Sequence, residues 1–118
     1  MRYMLFDGNV AAYGNTASAI YISTGSASTA QRDMWIDHCR FVNNVGNRYT
    51  VYVDTNYTNK NLLKINDTDF DSNTVKYGRT DGDAALLHIA YGNSVQMSNC
   101  TITKTQGEGR ILRYYGGG

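Results

Sequence analysis

The sequence predicts an all-β fold, a β-solenoid of four coils of about 30 residues each. Three features point there. The 118 residues contain no proline but 12 glycines, 12 asparagines and 12 threonines, a mixture that disfavours long helices and suits short strands joined by tight turns. A six-residue frame recurs along the chain. Between its copies lie short segments whose apolar residues recur at every second position, as in strands with one buried face.

The elements follow in order. In the first coil (1–31) the frame reads Leu5-Phe-Asp-Gly-Asn-Val10 and is followed by the strand Ala19-Ile-Tyr-Ile22. The second (32–60) carries Ile36-Asp-His-Cys-Arg-Phe41 and Thr50-Val-Tyr-Val53, the third (61–92) Ile65-Asn-Asp-Thr-Asp-Phe70 and Leu86-Leu-His-Ile89. The fourth (93–118) carries Met97-Ser-Asn-Cys-Thr-Ile102 and Ile111-Leu-Arg-Tyr114. Each frame has a large apolar residue at its first and sixth positions, a turn-former at the third and a small residue at the fourth. The first positions are 31, 29 and 32 residues apart. Ile20, Val51 and Leu112 each follow their frame by 15 residues, while Leu87 follows by 22, which places a seven-residue insertion around 74–83. A period near 30 with three strand pieces per repeat is too short for a typical propeller blade, and helical solenoids need a 3.6-residue pattern that is not found here. One coil cannot bury its own apolar face and must stack on its neighbours.

The third-position column comprises Asp7, His38, Asp67 and Asn99. Asn, Asp and His tolerate left-handed backbone best among non-glycine residues, so the column is expected to form a bend between two strands of each coil. The fourth-position column, Gly8, Cys39, Thr68 and Cys100, faces inward beside that bend. Two strand steps separate the cysteines by roughly 9 to 10 Å, beyond the reach of about 7 Å that a disulfide allows. Two free, buried thiols are expected, and no metal site.

The pattern Ile-x-Asn/Asp-Cys-x-Phe followed by Asn, approximated at Ile36–Asn44 (with His38 at the third position) and Met97–Thr105 (with Met97 and Ile102 at the apolar positions), resembles the repeat of pectate-lyase-like proteins. The resemblance implies a single-stranded, right-handed parallel β-helix, in which the chain's four coils make up one domain or a piece of one. It leaves the activity open, because that fold hosts many. The galacturonan hydrolases of the fold carry Gly-His-Gly, Asp-Asp and Arg-x-Lys. None of these occurs here, and the proline of the pectate-lyase element Arg-x-Pro-x-x-Arg is missing altogether. A glycosidase also needs two opposed carboxylates, and the sequence does not locate such a pair.

A net charge of +1, from 11 basic and 10 acidic side chains, speaks against a nucleic-acid partner. No apolar run approaches the roughly 18 residues of a membrane helix, and Arg2 and Asp7 bracket too short an apolar stretch for a signal peptide. With the coils in register, Tyr21, Tyr52, His88 and Arg113 form one outward column, with Asp54 and Tyr115 in the next. Tyrosine faces stack on sugar rings and the polar groups pair with hydroxyls, so a polysaccharide is the expected partner. Aromatics also pair well across neighbouring strands, which accounts for the same column without a ligand. The insertion supplies Lys76, Tyr77, Arg79, Asp81 and Asp83. There Lys76 and Arg79 would neutralise a uronate, and Tyr77 or His88 would move a proton in a β-elimination. No cofactor is expected, with Ca²⁺ at the Asp67–Asp71 run as the alternative. Asp67-Thr-Asp-Phe-Asp71 starts like a calcium loop but has Ser72 at its sixth position and Gly78 at its twelfth, so Asp69 is better read as a cross-strand partner of Arg40.

Strand character begins at Arg2 and runs to Tyr115 with no capping helix at either end. Solenoid ends expose backbone and core, which implies either a longer β-helix chain or stacking on further copies. The leading expectation is a non-catalytic module of an extracellular or phage tailspike-like protein with a polysaccharide-binding face. The alternatives are a fragment of a polysaccharide lyase or glycoside hydrolase, and a self-assembling solenoid that forms a filament or stalk.

Overall fold

The computed structural model describes residues 1–11, 17–23, 33–54, 61–76, 84–90, 93–107 and 110–115. All its regular structure is β, and every strand pairing is parallel. The first repeat contains β1 (Leu5–Asp7), β2 (Val10–Ala11) and β3 (Ala17–Ser23). The second contains β4 (Met34–Asp37), β5 (Arg40–Val42), β6 (Val45–Gly46) and β7 (Tyr49–Asp54), the third β8 (Asn61–Asn66), β9 (Asp69–Asp71), β10 (Thr74–Val75) and β11 (Ala85–Ala90). The fourth contains β12 (Asn93–Ser98), β13 (Thr101–Thr103), β14 (Gln106–Gly107) and β15 (Arg110–Tyr115). Strands one repeat apart are neighbours, giving four sheets: β4-β8-β12 (sheet I), β1-β5-β9-β13 (II), β2-β6-β10-β14 (III) and β3-β7-β11-β15 (IV). The chain visits them in that order in each full repeat, an arrangement compatible with a β-solenoid.

Each repeat thus has four strand pieces where the sequence reading counts three. The additional pieces, β2, β6, β10 and β14, are two residues long, too short for an alternation pattern to register. Beside them runs a ladder of asparagines. Asn73 accepts from the Asn44 backbone N–H (3.1 Å) and Nδ2 (2.9 Å), and its own Nδ2 donates to the Phe41 carbonyl (2.8 Å). Asn44 does the same one step on, accepting from Asn9 and donating to the Phe6 carbonyl. Both are fully buried, and the ladder satisfies backbone groups at the bend that no strand partner reaches.

The frame holds for three repeats and shifts in the first. Ile36, Ile65 and Met97 are in register, as are Ile20, Val51, Leu87 and Leu112 across the insertion. However, Leu5 pairs with Arg40 rather than Ile36, and Phe6 pairs with Phe41. The bend column is therefore Tyr3, His38, Asp67 and Asn99, all with φ between 47° and 53°, and Asp7 does not belong to it. A second bend column follows: Gly8 (φ 66°), Asn43 (55°), Ser72 (57°) and Lys104 (51°). The reason for the shift lies in the core. Phe6, Phe41 and Phe70 form a stack with ring centroids 4.7 and 4.8 Å apart and planes within 7° of parallel. Stacking and burial of one phenylalanine are worth about 2 to 4 kcal/mol. Holding Tyr3 in the left-handed region costs about 1 to 2 kcal/mol, so the stack decides.

Phe41, Val51, Val53, Leu63, Ile65, Phe70, Leu87 and Ile89 are fully buried between the sheets, drawn from the middle two repeats. Cys39 is a buried free thiol, as expected. Cys100 is free but only half-buried, because no described strand adjoins its repeat on one side.

Candidate functional site

On sheet IV the expected column forms. Tyr21 pairs with Tyr52, Tyr52 with His88 and His88 with Arg113. The rings lie on one another: Tyr21 on Tyr52 at 4.8 Å and 7°, Tyr52 on His88 at 4.9 Å and 8°. The column is less open than expected. Tyr21 is exposed, Tyr52 and Arg113 are half-buried, and His88 is only 6% exposed. Every residue of β11 is buried, so this stretch of the outer face is covered rather than presented to solvent.

Tyr49, which alternation counts with inward Val51, instead sets its ring against this column. It lies 4.9 Å from Tyr52 and 4.7 Å from His88, tilted at 40° and 49°, with the Arg48 guanidinium 5.5 Å from its own centroid. The sequence reading did not single it out, and a two-residue period offers no signal for a ring that leaves its expected side. Asp54 accepts a 2.9 Å hydrogen bond from the Tyr52 hydroxyl. Burial first, and that bond second, push the Tyr52 hydroxyl well above the usual tyrosine range, so it stays protonated and donates to Asp54. Lys76 is exposed at the end of β10. Tyr77, Arg79, Asp81 and Asp83, and the side chain of Tyr115, lie outside the described residues, so the insertion's proposed chemistry has no described geometry.

Around the first bend, the Arg2 Nε–H donates to Asp37 Oδ2 at 2.6 Å, while His38 lies 3.2 Å from Asp37 Oδ1 and 3.8 Å from Asp67 Oδ2. The Arg2 hydrogen bond holds the Asp37 carboxyl below the ordinary carboxylate range. Asp37, His38 and Asp67 offer three ligand atoms within 4.8 Å of one another, the group among the described residues best arranged to hold a cation. One of its carboxylates already binds a guanidinium, which satisfies the charge from within the chain. Of the calcium-like run, Asp69 lies 4.0 Å from Arg40, the expected cross-strand pair, and accepts from the Thr101 hydroxyl. Asp71 accepts from Ser72 and Thr103, at 2.8 and 3.2 Å.

Near these residues an open depression of about 470 Å³ is lined by Met1, Arg2, Trp35, Asp37, Lys64 and Asn66. Trp35, the single tryptophan, is 54% exposed there. Sequence reasoning passed it over because it sits outward within a frame read for its inward positions.

Among the described residues, both ends of the sheets are open. On the first-repeat face a hollow of about 630 Å³ reaches the core, lined by Met4, Phe6, Ile20, Met34, Ile36 and Leu63 among others. On the last-repeat face Met97, Ile111, Leu112 and Tyr114 are exposed. No family model matches the chain, and no curated protein or solved structure matches it either.

Proposed function

We propose that the chain is a non-catalytic module of right-handed parallel β-helix, of the pectate-lyase-like kind its repeat resembles, which works by associating through its two end faces. One contrast carries this reading. Along a single inward column Val51 and Leu87 are fully buried, and Leu112, the next residue of that column, is 45% exposed. A column built to be inside is left outside at the final step. An apolar end of this sort, together with a strand edge that no described strand adjoins, marks an interaction surface. Light scattering across a concentration series tests it: the mass is expected to rise above 13.1 kDa with concentration, and a constant 13.1 kDa overturns the reading.

A second reading, contact with polysaccharide, has the Trp35 depression in its favour. An exposed indole beside Arg2, Asp37, Lys64 and Asn66 combines a stacking surface with hydrogen-bonding groups. This moves the sugar-facing surface from the Tyr21–Arg113 column, whose rings already stack on one another, to sheet I. Because Trp35 is the sole tryptophan, its fluorescence reports directly. Oligosaccharide titration is expected to shift the emission, and an unchanged spectrum across neutral and acidic oligosaccharides removes this reading.

A further inference from the structure

We propose that the partner on each end face is a second copy of this chain, docked head to tail, with the first repeat of one copy continuing the last repeat of the next. The inference rests on the end-face reading above and names its occupant and polarity.

The backbone supplies the argument. At the first bend Tyr3 N–H donates to the Asp37 carbonyl, His38 N–H to Asn66 and Asp67 N–H to Ser98, at 3.0 to 3.1 Å. At the second bend Gly8 N–H donates to Val42, Asn43 N–H to Asp71 and Ser72 N–H to Thr103, again at 3.0 to 3.1 Å. Each series steps from one repeat to the next, and its following donors are Asn99 and Lys104 on the last-repeat face. The acceptors that continue the two series are the carbonyls of Arg2 and Asp7 on the first-repeat face. A third series runs the opposite way: Val45 N–H to Asn9, Thr74 N–H to Asn44 and Gln106 N–H to Asn73, at 2.8 to 3.0 Å. Its continuation sets Val10 N–H against the Thr105 carbonyl. The two faces are therefore complementary as parallel ladders, at bends that share left-handed geometry: Tyr3 matches Asn99 (φ 53° and 51°) and Gly8 matches Lys104 (66° and 51°).

Side chains agree with this register. Tyr21 has one ring face on Tyr52 and stands on the edge strand β3, so docking brings Arg113 of the next copy to its other face, a cation–π arrangement. Phe6 meets Ile102, continuing the phenylalanine column, and Lys104 comes beside Asp7. The chain measures 36 × 33 × 19 Å, its short dimension matching about four parallel strand spacings. The broad cross-section bounds each face at about 900 Å² in projection, so two paired faces have room for a standard stable interface of roughly 1,600 Å². Copies stacked head to tail along the strand-stacking axis always leave one face open at each end, so the contact does not close into a ring and propagates as a filament.

Two blocked chains test this. Val10→Pro removes the ladder donor on the first-repeat face, at an exposed edge position that tolerates proline. Leu112→Asp puts a charge on the last-repeat face. Each variant alone is expected to remain at 13.1 kDa, and their equimolar mixture to form a species of twice that mass that grows no further. Met4→Arg with Met97→Arg forms a second pair, and circular dichroism of each chain establishes that it is folded. A single blocked variant that dimerises through its intact face, or a mixture of folded variants that stays monomeric, overturns the head-to-tail assignment while unblocked chains still associate. Unblocked chains that stay monomeric overturn the end-face reading itself, and leave further coils of a longer chain as what covers these faces.

Discussion

Tyr52 and His88 lie ring on ring, centroids 4.9 Å apart and planes 8° from parallel, and each hides one face of the other. With Tyr21 on the far side of Tyr52 and Tyr49 tilted against Tyr52 and His88, these four rings of sheet IV form a packed outer layer. That arrangement makes the column a source of stability. Of Tyr21, Tyr49, Tyr52 and His88, Tyr21 alone is exposed.

Truncating the middle of this layer should therefore cost stability. Tyr52→Ala removes stacking against Tyr21 and His88, the tilted contact with Tyr49 and the hydrogen bond to Asp54, an expected loss of about 3 to 4 kcal/mol. Urea unfolding followed by circular dichroism measures it. A midpoint equal to that of the unaltered chain would show that the rings merely lie together.

The asparagine ladder makes a sharper case, because it involves backbone. Asn73→Ala strands the Phe41 carbonyl and the Asn44 N–H in the buried interior and removes one of the two acceptors of Asn44 Nδ2, which keeps its bond to the Phe6 carbonyl. Each buried unpaired group costs about 1 to 3 kcal/mol, so an overall loss of about 3 kcal/mol is expected. Asn73→Asp keeps the acceptor but loses the donor to Phe41, and it buries a carboxylate. It should be no more stable than the alanine variant, and full retention of stability in either would refute the ladder's role.

Acid should weaken the first bend. The Asp37 carboxyl is held below its ordinary range, chiefly by the Arg2 hydrogen bond, so folding gains from its ionised form. That gain is complete above the ordinary carboxylate range, near pH 4, and disappears as pH falls through the lower folded-state value. Thermal midpoints should drop between about pH 4 and pH 2, and less steeply in Arg2→Ala. The remaining slope belongs in part to Asp71, whose carboxyl is held down first by the Ser72 hydrogen bond. An Arg2→Ala chain with an unaltered acid profile would contradict this assignment.

Much of the fold was legible in the residues. The left-handed bends at His38, Asp67 and Asn99 and the alignment of Ile20, Val51, Leu87 and Leu112 follow from local preference and two-residue alternation, and they appear as expected. Less of the candidate site was legible. Alternation places Tyr52 and His88 on one side of a strand, yet it carries no information on what covers that side or on the ring of Tyr49. The exposed Trp35 was equally silent, since exposure depends on which neighbours fail to arrive.

The first repeat separates the two kinds of information most clearly. The chain by itself determined a repeating, parallel β architecture, because β-branched and aromatic residues alternate with turn-formers at a nearly constant period. It admits two frames for the start, one bending at Asp7 and one at Tyr3, and local preference favours the aspartate. Tertiary structure alone chose Tyr3, by stacking Phe6 on Phe41 and Phe70. A backbone preference is worth about 1 to 2 kcal/mol and acts on one residue, whereas a core column draws on the packing of every repeat it passes through.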